Sequence, residues 1–93
     1  MGLVFELDDK KAAANLQNHQ VSFEEAATVF GDALSITIED PAMVLHEERS
    51  ITVGQSFRGR TIVVVHVDRG DIIRIVSARS ATRREKRTYE ESK

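Results

Sequence analysis

Three groups of residues have the types and spacing to do chemistry. Lys11, Asn15 and His19 recur at i, i+4 and i+8. At about 100° per residue on a helix they spread over about 80° and line one ridge with a cation, an amide and an imidazole. An imidazole is the side chain best suited to move a proton at neutral pH, which makes His19 a candidate acid or base. A histidine in the last turn of a helix is also favoured by the helix dipole alone. The second group closes the chain: Arg74 and Arg79, then Arg83, Arg84, Lys86, Arg87 and Tyr89. Arginine is the side chain best fitted to grip phosphate bidentately, and tyrosine can stack on a base or donate a proton. The same stretch can equally be a solvated helix whose Glu85, Glu90 and Glu91 balance its charge. The third group, Glu47-Glu48-Arg49, sets an acid pair beside a base at the mouth of a strand. Its plain reading is a surface ion pair, which contributes little.

Other chemistries are excluded or unsupported. The 93 residues contain no Cys, which removes disulfides, thiolate catalysis and Cys-based zinc sites. Gly54 and Gly59 are not followed by the Lys-Ser/Thr or helix start of a phosphate-binding loop. His19, His46 and His66 show no metal-ligand spacing, so neither a metal nor a cofactor is expected.

These groups must be positioned by local elements. Residues 3–7 read as a short strand. Asp8 or Asp9 then supplies an N-cap for a helix over 9–19 that ends near Gln20. Ser22-Phe-Glu-Glu25 reads as a capping box, with Val21 and Ala26 as its staple, and Phe23, Ala26, Ala27 and Phe30 follow helical spacing up to Gly31. Leu34-Ser-Ile-Thr-Ile38 alternates as a strand does. Residues 42–48 are ambiguous between a loop and a single turn. Residues 49–57 read as a strand interrupted at Gly54, and Arg58-Gly59 as a turn. Residues 61–67 are an unbroken β-branched run that predicts a central strand covered on both faces. A turn at 68–71 leads to a last strand over 72–78. Alternation there puts Arg74 with Val76 and Ala78 on one face, and Ser77 and Arg79 with Ile73 and Ile75 on the other. Thr82-Arg-Arg-Glu85 is a second capping box, opening a helix to about Ser92.

The expected class is α+β: a short N-terminal strand and two helices, a four-stranded antiparallel meander, and a C-terminal helix, with the helices against one face. The length fits a single domain over 1–93. No apolar run approaches the ~18–20 residues of a membrane span. The N-terminal run lacks the pattern of a secretory signal, so the expected location is cytoplasmic. The formal net charge of −2 conceals a split: residues 1–48 hold ten acids and two bases, and residues 49–93 eleven bases and five acids. Such asymmetry points to a nucleic-acid or charged-partner surface, or to halves that interleave and neutralise each other.

Taken together, the residues resemble a family. The run Phe5-Glu6-Leu7-Asp8, Lys11, Asn15, His19, Val21-Ser22-Phe23-Glu24-Glu25-Ala26 is similar to the opening of BrnT-type toxins. The run Arg74-Ile75-Val76-Ser77-Ala78-Arg79, Ala81-Thr82, Glu85, Tyr89 is similar to their closing motif. Glu48-Arg49, Gly54 and the Val-rich strand match the middle, so the resemblance covers nearly the whole chain in order. It implies a toxin of a type II toxin–antitoxin pair, with a RelE-like ribonuclease fold, that acts on RNA, free or ribosome-bound, and stops translation. It also implies a BrnA-like antitoxin and assemblies of two toxins with two antitoxins. The chain departs from the family pattern at Leu7 (usually Trp), Asn18 (usually Lys) and Gln20 (usually Gly); the second change removes a cation beside His19.

Metal-independent RNA cleavage needs a base, cationic support for the phosphorane and an acid. The resemblance and the residues together nominate His19, Arg49, Arg79, Arg83 and Tyr89 for catalysis, and Lys11, Asn15, Arg74, Arg84 and Arg87 for holding RNA. The alternative is a non-catalytic RNA- or protein-binding module of the same fold.

Overall fold

The structure, a computed structural model, describes residues 3–40 and 49–92. His46, Glu47 and Glu48, and the undecided stretch 42–48, lie outside the described residues. The elements are β1 (Val4–Leu7), α1 (Asp9–His19), α2 (Phe23–Thr28), a short 3-10 turn (Val29–Gly31), β2 (Ile36–Glu39), β3 (Arg49–Gln55), β4 (Thr61–Arg69), β5 (Ile72–Ser80) and α3 (Arg83–Glu91).

Local chemistry sets their ends. Asp8 accepts from the Lys11 N–H and Ser22 from the Glu25 N–H, each satisfying a free first-turn amide. At Thr82 both halves of the capping box form. At Ser22 only one half does, because the Glu25 carboxylate turns inward to Ser56 and Arg60. α1 ends at Gln20, whose φ of 57° is left-handed, a backbone state that favours glycine.

The strands form one mixed sheet of five, in the order β1-β5-β4-β3-β2. This corrects the expected RelE-like arrangement built on a four-stranded antiparallel meander. β2 to β5 do pair antiparallel, but β1 joins them along β5, and the pairing is parallel. β1 and β5 are not consecutive: α1, α2 and β2–β4 lie between them in the chain, and α1, which follows β1 directly, packs against β5.

One sheet face carries the core. Val21, Phe23, Ala26 and Val29 pack against Ile62, Val64, Ile75 and Ala78, with Phe5, Leu7, Ala12, Ala27 and Phe30 around them. β4 is covered on both faces as its composition predicted, since Val63 and Val67 on the opposite side are buried too. That opposite side carries α3, so the three helices do not share a face. Ile36, Ile38, Ile51, Val53 and Val63 form the apolar floor of a groove of about 350 Å³, with Arg79, Arg84, Glu85, Thr88 and Tyr89 on its α3 side.

Two further differences have physical causes. β3 runs through Gly54 without a break. A Cβ there would come within 2.8 Å of Val29 and 2.9 Å of Ser35, so the glycine lets the 3-10 turn lie on the strand. In β5 the strict alternation fails: Val65 pairs with Ser77 but His66 with Ile75, leaving Val76 as a bulge. Ala78 therefore joins Ile73 and Ile75 on the core face, and Arg79 moves to the same face as Arg74.

Candidate functional site

α1 presents its ridge as two different kinds of residue. Lys11 and His19 are exposed, whereas Asn15 is buried. The Asn15 amide donates to the carbonyls of Val21 and Ala78 at 2.8 Å each, and its oxygen accepts the Ala78 N–H at 3.0 Å. The two bonds to Ala78 cross 63 residues of sequence, and together with the bond to Val21 they join α1, the α1–α2 link and β5. Asn15 is a clamp that holds the helix on the sheet, and the RNA contact expected of it is not open to a side chain so enclosed. His19 stands one turn beyond the clamp. Gln20, the next residue, accepts a hydrogen bond at 3.0 Å from Arg60 Nη2 through its carbonyl.

Arg60 belongs to a buried cluster that the sequence reading missed. The Glu25 carboxylate accepts from Ser56 Oγ at 2.7 Å and from Arg60 Nε at 2.9 Å, with a second, shorter bond from Arg60 Nη2. Arg60 holds the Glu25 carboxyl below the usual carboxylate range, against the upward push of its burial. Arg58 adds a contact of 4.0 Å to the same carboxylate while remaining largely exposed. Here the acidic and basic halves of the chain do interleave and neutralise. The signal available in the sequence was an acid one turn into a helix with two arginines in one turn of the sheet, but nothing in their spacing pairs them.

The C-terminal group lies on the other side of the sheet. Arg79 grips Glu85 with both terminal nitrogens, at 2.7 and 2.9 Å. Glu85 also accepts the Thr82 N–H, completing the cap of α3. Arg79 pulls the Glu85 carboxyl down to about 2, and Glu85 raises the Arg79 guanidinium in turn. Tyr89 is buried and donates its hydroxyl to Asp32 Oδ2 at 2.5 Å. Asp32 pushes the Tyr89 hydroxyl up to about 12, with burial adding to the shift. Such a hydroxyl is a reluctant acid, and it ties α3 to the loop before β2. That loop is itself fixed on Asp32 by the N–H groups of Leu34 and Gln55. Arg83, Arg84 and Arg87 are exposed on α3. Arg74 sits beside Glu6 in the β1–β5 register, and Arg49 starts β3 opposite Val67. The structure thus brings Arg79, Arg84 and Tyr89 together on one face and leaves Lys11 and His19 with α1 on the other.

A buried histidine completes the picture. His66 is 1% exposed and lies edge-on to Phe30. Its Nδ1 is 2.6 Å from Asp68 Oδ1 and its Nε2 2.8 Å from Thr52 Oγ1, which is 2.7 Å from Thr37 Oγ1. An ionised carboxylate only accepts, so it holds the proton on Nδ1. The i, i+2 pair His66 and Asp68 on a strand was the available signal. Among the described residues no group of three or more His, Asp or Glu could hold a metal ion, and no helix is long and apolar enough to cross a membrane.

Comparison with known proteins bears on this geometry. The model of the family described as "Ribonuclease toxin, BrnT, of type II toxin-antitoxin system" matches residues 7–85. No curated protein matches the chain. A crystal structure at 1.1 Å of the Brucella abortus ribonuclease toxin BrnT is similar to it, with a TM-score of 0.60 and 19% identity over 89% of this chain and 99% of that one. At that identity the likeness is one of fold.

Proposed function

The chain belongs to the BrnT family of ribonuclease toxins of type II toxin–antitoxin systems, and from this premise we propose that it is a metal-independent endoribonuclease that arrests translation until an antitoxin neutralises it. The family implies an antitoxin partner. A BrnA-like protein in a 2:2 assembly, action on free or ribosome-bound RNA, and a cytoplasmic location are parts of the same proposal.

The observation that carries the reading is the Asn15 clamp. It spends a buried amide on fixing α1 to β5, and so holds an exposed imidazole, His19, at the end of the sheet where the basic segment 79–87 begins. Preorganisation of this kind is what acid–base chemistry on a phosphodiester requires. In the proposed reaction the ribose 2′-oxygen gives up its proton and attacks phosphorus. The bond to the 5′-oxygen breaks, leaving a cyclic phosphate and a 5′-hydroxyl that takes up a proton. His19 moves one of those protons. Arg83, at the first turn of α3, offers a cation to the phosphorane. Arg49 starts β3 at the opposite end from Gln55 and Thr61, about 20 Å along the strand, so it holds the RNA further along rather than the phosphorane. Arg79 reaches a phosphate by exchanging the Glu85 carboxylate for it, both being flat bidentate acceptors. Lys11, Arg74, Arg84 and Arg87 hold the strand electrostatically. Asn15 acts as a positioning residue, as does Tyr89 while Asp32 holds its hydroxyl.

Induced expression tests the proposal, with growth and RNA integrity followed together. Arrest accompanied by RNA cleavage that survives EDTA and falls by about 10²–10⁴-fold in His19→Ala is expected. Intact RNA during arrest would leave the non-catalytic binding module standing, and cleavage abolished by EDTA would remove metal independence. His19→Ala should fold normally, because the imidazole is exposed.

A further inference from the structure

Phe57 is the most exposed large apolar side chain among the described residues, at 74%. Single exposed apolar residues are common and need no explanation. This one differs in how firmly it is presented. The turn between β3 and β4 is tied by Ser56 N–H to the Arg60 carbonyl, Gly59 N–H to the Ser56 carbonyl, and Arg58 N–H to Ser56 Oγ. The Phe57 N–H is bonded to Thr28 Oγ1 at 3.0 Å, which pins the tip to α2. An aromatic ring is therefore displayed to solvent on a braced backbone rather than on a loose loop.

The charge beside the ring that faces water is a cation. Glu25 is turned inward to Arg60, and Asp32, in the hollow next to the ring, is engaged by the Tyr89 hydroxyl and the Leu34 and Gln55 N–H groups. Arg60 is the inner partner, and Arg58, with 63% of its side chain exposed, is the group that faces water. The cluster also reaches the proposed active site: Arg60 Nη2 bonds the carbonyl of Gln20, the neighbour of His19. On the far side, the Ala81 N–H bonds the Thr61 carbonyl and brings the start of α3, with Arg83, to the same end of the sheet. A shallow hollow of about 290 Å³ borders the ring, with Thr28, Asp32, Gln55 and Ser56 as its polar lining.

We infer that the Phe57–Arg58 tip is a nucleobase subsite, in which Phe57 stacks an unpaired base of an RNA strand and Arg58 pairs with its phosphate while the strand passes His19. Rested on the ribonuclease reading, it assigns that site a substrate-holding element of single-stranded RNA class. Single-stranded RNA is recognised through splayed bases stacked on aromatic rings and read along their edges, with cations on the backbone. A protein partner would take the ring into an apolar patch of its own, but the hollow beside Phe57 is largely polar and the charge next to it that faces water is the Arg58 cation.

The chain has no Trp, so F57W introduces a single indole reporter. Titration of F57W with a single-stranded RNA oligonucleotide should quench its fluorescence and give a salt-dependent Kd. In cleavage assays Phe57→Ala should raise KM about 10-fold with kcat nearly unchanged, Arg58→Ala should raise KM and flatten the salt dependence, and Phe57→Tyr should restore binding. Phe57→Ala with wild-type KM in an enzyme that cleaves RNA would overturn the subsite and leave the ribonuclease standing. Quenching of F57W by RNA with no cleavage by the wild-type chain would keep the subsite and remove the ribonuclease. Quenching by an antitoxin and not by RNA would overturn the subsite in favour of a protein interface.

Discussion

Side chains of one type serve opposite ends in this molecule, and the difference is made by their partners. His19 is exposed at the end of a helix, while His66 is enclosed between Asp68, Thr52 and Phe30. Only the first is open to a substrate. Tyr89 is the instructive case among the nominated catalytic residues. Its hydroxyl is spent on Asp32 and its proton is held up to about 12, so it braces α3 and makes a poor acid. Tyr89→Phe separates the two roles. Loss of one hydrogen bond to a carboxylate should lower stability by about 1–2 kcal/mol, a fall in Tm of roughly 4–8 °C per kcal/mol for a domain of this size. Cleavage by the folded variant should keep its kcat. A drop of two orders of magnitude in kcat with an unchanged Tm would return Tyr89 to the catalytic set.

Each element ends where a side chain or a backbone state ends it, and most of those signals are local enough to read from sequence. The caps at Asp8, Ser22 and Thr82 and the turn at Gly70, whose φ is 60°, are of this kind. So is the departure from the family pattern at Gln20. The residue sits at φ 57°, where a side chain is strained and glycine is not. Gln20→Gly should therefore raise stability by about 0.5–1 kcal/mol, the relief of left-handed strain less the entropy that glycine adds to the unfolded chain, read as a higher Tm. The bond from Arg60 survives the change because it uses the Gln20 carbonyl. A lower Tm would mean that the side-chain bond from Gln20 to the Gln17 carbonyl outweighs the strain. Two elements resisted local reading. The bulge at Val76 is invisible to a rule of strict alternation, and it exchanges the faces of Ala78 and Arg79. The parallel pairing of β1 depends on a residue run 68 positions away, Val4 beside Ile72.

For the whole molecule, charge links folding to pH. Glu85, held at about 2 against an ordinary 4.5, and Glu25, also lowered, contribute stability that is complete above about pH 4.5 and is lost as pH falls toward 2. Tyr89, raised from 10 to about 12, contributes stability that is complete below about pH 10 and is lost as pH rises toward 12. Tm against pH should show a plateau between these limbs. Glu85→Gln should make the acid limb shallower and leave the alkaline limb in place. An acid limb of unaltered slope in that variant would remove Glu85 from the account. The opposed charges of the two halves, conspicuous in the sequence, are partly consumed in this way: Glu25 meets Arg58 and Arg60 across more than thirty residues.

Composition, periodicity and capping residues determined the α+β class, the three α-helices, the buried central strand and the list of groups able to handle a phosphodiester. Those features follow from near neighbours along the chain, whose spacing alone decides which face or helix end they occupy. The tertiary structure decided which of the nominated residues are available. It turned Asn15 into a clamp, engaged Arg79 with Glu85, gave the Tyr89 hydroxyl to Asp32, and set Phe57 and Arg58 on a braced tip beside Arg60, which bonds the neighbour of His19. Availability depends on burial and on hydrogen-bond partners far away in sequence, and only the folded chain brings those together.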